Sequence, residues 1–144
     1  MMGRKTQLRV CALLLILNLA FIWGNSLMPA ATSQAFSDWM MSVLGSVPVE
    51  QAPQAGSGIL RKIAHFAEFT TLGFLISWLL ALLGRKNWPA LPFGMAAACL
   101  DEVIQMFVPG RGPGIRDVAI DTCGVLAGIL LLRIGYKLIT RNQL

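Results

Sequence analysis

Asp101 and Glu102 stand side by side near the end of a hydrophobic stretch, with Gln105 four and three residues further on. At helical spacing the three fill an arc of about 100°, narrow enough to face one cavity. Two adjacent acids in an apolar setting need not both be ionised, which sets a proton donor beside an acceptor. Carboxylate pairs also suit Mg²⁺ or Ca²⁺, which favour oxygen ligands. No stricter metal spacing accompanies this pair, so neither a metal nor another cofactor is expected. His65, the single histidine, lies three residues after Lys62 and three before Glu68. That spacing keeps Lys62, His65 and Glu68 on one broad helix face. A histidine beside a carboxylate can transfer protons, because it titrates near neutrality and the acid fixes its tautomer. It can equally be a hydrogen bond that locks two helices together.

Between the acids and the next apolar run lies Val108-Pro109-Gly110-Arg111-Gly112-Pro113-Gly114-Ile115-Arg116. Prolines remove donors and fix φ, and glycines permit close backbone approach, so this stretch is a loop. Arg111, between two glycines, is shaped for bidentate contact with phosphate or carboxylate. The free N–H groups opening the following helix would add to anion binding. Arg111 and Arg116 can alternatively neutralise the neighbouring acids. Asp117 suits a helix N-cap. Asp121, one turn deeper, needs a partner, for which Lys62 and Arg111 are the candidates. Gly124 and Gly128 share its face and allow a neighbouring helix to come close.

The elements that must position these groups are membrane spans. The chain is 56% hydrophobic and only 13% charged over 144 residues, against about 25% charged in soluble chains. Apolar runs predict spans at about 9–28, 59–83, 90–107 and 117–138, a single all-α four-helix membrane domain covering 1–144. The first run is read as a retained span rather than a cleaved signal peptide. The connection 29–58 carries no Lys or Arg, and within it Phe36, Trp39, Met40, Val43 and Leu44 recur at helical spacing. They predict a short amphipathic helix on the membrane surface or packed over the bundle. Ser46 to Ser57 reads as a linker. The net charge of +5 is concentrated at span ends, which fits topology and anionic headgroups better than nucleic acid. Positive charge at both termini and at Arg85–Lys86 places both ends in the cytoplasm. Cys11, Cys99 and Cys123 have no disulfide or zinc spacing and read as small packing residues.

Three motifs, K-x-x-H-F-x-E-F at 62–69, D-E-x-x-Q-x-F-V-P-G-R at 101–111 and R-D-x-x-x-D-x-x-G-x-x-x-G at 116–128, resemble the VanZ-like family in type and order. The resemblance spans about 10–138. It implies a multi-pass protein of the bacterial cytoplasmic membrane, in a family whose namesake lowers susceptibility to the glycopeptide teicoplanin. The family pattern commonly has Tyr at the place of Phe69 and Asn at the place of Asp121.

Two functions compete. In the first, an outward polar pocket binds an anionic lipid headgroup or lipid-linked cell-wall precursor through Lys62, Gln105, Arg111, Arg116, Asp117 and Asp121. In the second, an intramembrane enzyme acts on such a substrate, with His65, Glu68, Asp101 and Glu102 as acid–base candidates. A proton-coupled transporter, which at this size would need a homodimer joined through the glycine face, and a purely structural role rank below both.

Overall fold

In the computed structural model, residues 3–43, 54–112 and 114–141 are described, and they form five α-helices. These are α1 (Arg4–Ser26), α2 (Ala30–Val43), α3 (Gln54–Leu82), α4 (Ala90–Gln105) and α5 (Ile115–Arg141), with no strand among the described residues. Helix ends coincide with the glycine and proline punctuation. α3 closes on Gly84 at φ +67°, with Arg85 N–H donating to Leu80 O and Gly84 N–H to Ala81 O. That pair of bonds caps the last carbonyls and needs a residue tolerant of positive φ. α4 stops before Pro109 and Gly110, the latter at φ +76°.

Contacts between helix ends establish the topology. The Arg4 guanidinium donates twice to Leu82 O, at 2.9 and 2.6 Å, so the start of α1 meets the end of α3. Asn25 Nδ2 donates to Glu68 Oε1 at 2.9 Å, so the end of α1 meets the first half of α3. The two helices are therefore antiparallel. α5 runs parallel to α3, with Gly124 against Phe66 and Phe69, and Gly128 against Thr70 and Phe74. α4 must return from the far end of α3 to the near end of α5. The result is an up-down-up-down bundle of α1, α3, α4 and α5. α2 sits at the end where α1 finishes, its Ala30 N–H donating to Pro109 O at 3.3 Å.

Ile22, Phe69, Leu72, Ala98, Val125 and Ile129 form the core, while Leu13, Ile16, Leu17, Leu130, Leu131 and Ile134 face outward. An apolar exterior of this extent suits hydrocarbon rather than water. α1, Ile59–Leu82 of α3 and Ile115–Ile139 of α5 are long and apolar enough to cross a membrane. α4 is not: its 16 residues extend about 24 Å, against roughly 30 Å of hydrocarbon. The predicted third span at 90–107 is cut short because the Pro109–Gly110 turn ends it early.

Other expectations are revised. Helix α3 begins at Gln54, inside the predicted linker; the rest of that linker up to 53, like Leu44, lies outside the described residues. Helix α2 exists, but Phe36, Trp39 and Val43 point away from the protein, so its apolar face does not pack over the bundle. Cys99 and Cys123 are exposed rather than buried; only Cys11 packs inside. Gly124 and Gly128 are consumed within the chain by α3, which removes the glycine face as a route to a dimer.

Candidate functional site

Polar side chains from α1, α3, α4 and the α4–α5 loop converge with α5 at one end of the bundle. α1, α4 and α5 present their polar residues within two turns of that end, and α3, which begins at Gln54, presents His65 about three turns in. On α3, the face turned towards α5 carries His65. On α4, Asp101, Glu102 and Gln105 are 0, 5 and 4% exposed, so the predicted arc does face the interior. On α5, Asp121 is fully buried on the same stripe as the packing glycines.

His65 Nδ1 lies 3.9 Å from Asp101 Oδ2 and 3.7 Å from Asp121 Oδ1. Both separations exceed a direct hydrogen bond, and Nδ1 and both Asp121 oxygens have no hydrogen-bond partner. Asp101 is held more firmly. Ser26 Oγ donates to Oδ1 at 2.5 Å and Gln105 Nε2 to Oδ2 at 2.8 Å, with Gln105 also 3.3 Å from Ser26 Oγ.

The adjacent acids Asp101 and Glu102 do not act together. Asp101 turns to Ser26 and His65, whereas Glu102 Oε2 accepts the Gly114 N–H at 2.6 Å. Glu102 thereby fastens the loop to α4. Asp117 lies in the first turn of α5 rather than at its N-cap, because Gly114 takes the position before the helix and offers its carbonyl to Asp117 N–H. The expected cationic partners of Asp121 are not at bonding distance; its near neighbour is His65. Lys62 is exposed and, with Arg61 and Asp117, lines a small crevice that reaches His65, Gln105 and Asp121. Arg116 is exposed on the first turn of α5.

Arg111 is half-buried. One nitrogen, Nη2, donates to Asn25 O at 3.2 Å, while Nε and Nη1 have no partner. Burial, then the nearby Arg61 charge, hold its pKa below the usual guanidinium value. Below this polar end, an apolar groove of about 390 Å³ runs between α1, α3 and α4, from Trp23 and Leu100 down to Leu15, Leu79 and Phe93. Its upper rim is one residue from Asp101 and three from Ser26.

Asn25 and Ser26 were not among the residues expected at the site. They close an otherwise apolar run, and a polar pair at that depth of a span is the signal that marks them.

A family model described as VanZ/LLP1 matches residues 10–136, which takes in α2, α3 and α4, most of α1 and α5, and every polar group of the site. The chain belongs to the VanZ/LLP1 family. No curated protein and no solved structure matches it. The three motifs at 62–69, 101–111 and 116–128 thus become, in this VanZ-family fold, three walls of one polar end. Phe69, in the first motif, is fully buried in the apolar core against Gly124, so it supports the site from beneath.

Proposed function

We propose that this VanZ-family membrane protein binds an anionic lipid headgroup, or the phosphate of a lipid-linked cell-wall precursor, at the polar end of its bundle. The observation that carries this reading is Arg111. A half-buried guanidinium with two unpartnered nitrogens beside Arg61 gains strongly from an arriving anion, and its planar fork suits phosphate. The crevice at Lys62 is too small for a headgroup, so the anion is held outside it by Arg111, with the Arg61 charge close by. Support for a lipid rather than a free anion comes from the groove that starts beside Asp101, which has the apolar lining and length for an acyl chain. With both termini cytoplasmic, the site faces outward, where glycopeptide targets reside, and occupancy there alters glycopeptide susceptibility.

Mass spectrometry of lipids retained by the purified protein tests this. Wild type should keep one anionic lipid class above its bulk share, and Arg111→Ala should lose it. Equal retention by both proteins sinks the reading.

A second reading, an intramembrane acid–base enzyme, is favoured by one observation: His65 Nδ1 facing two buried carboxylates. Since Glu102 is engaged with the loop, the acid–base roles move to His65, Asp101 and Asp121. Envelope lipids from cells expressing wild type or His65→Gln would show a covalent difference under this reading, and none otherwise.

A further inference from the structure

We propose that His65, Asp101 and Asp121 bind one divalent transition-metal cation of the Zn²⁺ or Mn²⁺ class inside the bundle. This goes beyond the headgroup reading and does not depend on it.

The geometry comes first. One ligand atom from each residue lies within 4.8 Å of the other two, and the two contacts of His65 Nδ1 are 3.9 and 3.7 Å. These spacings are too wide for direct hydrogen bonds. They are close to the ~3.4 Å that separates neighbouring ligands on a tetrahedral cation with bonds of about 2.0–2.2 Å. For the two His65 contacts the difference is a few tenths of an ångström, and the two carboxylates, within 4.8 Å of each other, are drawn together by rotation of their short side chains as the ion binds.

Asp121 supplies an independent observation. It is 0% exposed, and neither carboxylate oxygen has a hydrogen-bond partner. A buried carboxylate in that condition is strongly unfavourable, and Nδ1 of His65, 3.7 Å from Asp121 Oδ1, is unpartnered as well. A cation between them satisfies both. Asp101 is already arranged as a ligand with outer support, since Ser26 and Gln105 fix its two oxygens, and Oδ2 keeps a second lone pair.

The donor set selects the class of ion. An imidazole disfavours Mg²⁺ and Ca²⁺, and the absence of sulfur among the three ligands disfavours Cu⁺. Two carboxylates and a divalent cation sum to zero, the cheapest total inside a membrane. The crevice lined by Arg61, Lys62 and Asp117 reaches His65 and Asp121, so water can complete the coordination from that side.

The test uses full-length protein in detergent, stripped with a chelator, re-exposed to ZnCl₂ and assayed for tightly held metal by elemental mass spectrometry. Wild type should retain about one Zn²⁺ per chain in the presence of millimolar Mg²⁺. His65→Gln and Asp121→Asn should each lower affinity at least tenfold, and Gln105→Leu, which removes only outer support, should lower it roughly tenfold to a hundredfold. Cys99→Ser, on the exposed side of α4, should bind as wild type. If Asp121→Asn does not fold, His65→Gln and Gln105→Leu decide the matter. No stoichiometric Zn²⁺ in wild type, displacement by Mg²⁺, or undiminished binding in a folded His65→Gln protein overturns the proposal.

Discussion

Glu102 spends its charge on a main-chain N–H, and this separates two roles that neighbouring carboxylates can play. Glu102→Ala leaves the Gly114 N–H without its acceptor, at a cost of about 1–3 kcal/mol. Glu102→Gln keeps an acceptor and loses only the charge-assisted part, a smaller penalty. Thermal unfolding together with amide exchange at Gly114 checks both; equal stability of the two variants would remove the loop-fastening role. Arg111 behaves oppositely. With a single hydrogen bond at 3.2 Å and a destabilised charge, Arg111→Ala should change stability by no more than about 1 kcal/mol while abolishing lipid retention. A large drop in melting temperature would make Arg111 a structural residue instead. The acids were legible in the sequence because each interrupts hydrocarbon. What could not be read was direction: adjacent positions 101 and 102 diverge to different partners, and Asn25 and Ser26 look like the start of a loop until α3 and α4 are placed beside them.

At the scale of elements, the α3–α5 seam carries the site. An added Cβ at Gly128 would run into the Thr70 carbonyl and Phe74 N–H of α3, and main chain cannot rotate away. Gly128→Ala should therefore cost at least about 1–3 kcal/mol. Gly135→Ala, on the same helix with nothing within 4 Å of the new methyl, should be neutral or stabilise by about 0.5–1 kcal/mol through propensity. Unfolding curves of the two variants in detergent make the comparison, and equal effects would contradict the seam. The Gly-x-x-x-Gly pattern announced close packing, but spacing carries no information about which helix comes close. The apolar runs located α1, α3 and α5 but not their starts, since α1 begins at Arg4 and α3 at Gln54, each about five residues before its predicted span. By contrast, α4 ended where Pro109 and Gly110 turned the chain rather than where hydrophobicity faded.

At the scale of the molecule, charge is sorted along the bundle axis. Glu68, Asp101, Glu102, Asp117 and Asp121 sit at the site end with Arg61, Lys62, Arg111 and Arg116, while Arg4, Lys5, Arg9, Arg85, Lys86, Arg133, Lys137 and Arg141 cluster at the other end without acids. The positive-inside rule predicts that the end richer in basic residues is cytoplasmic. With the native cysteines replaced by serine, a membrane-impermeant maleimide should label Gly112→Cys on intact cells and Lys86→Cys only after permeabilisation. The reverse pattern would invert the topology and place the site inside. Because α4 is shorter than the hydrocarbon thickness, the loop that follows it should lie below the outer headgroup plane, so ligands reach it from within the leaflet.

The seam of glycines also makes the site a gauge. His65 and Asp121 project from backbones in direct contact, so the gap between them cannot widen by sliding one helix against the other without breaking that contact. Short side chains supply only small adjustments. Whatever occupies the gap is therefore measured against a fixed width, and discrimination by size follows from main-chain packing several residues deeper than any atom that touches the occupant.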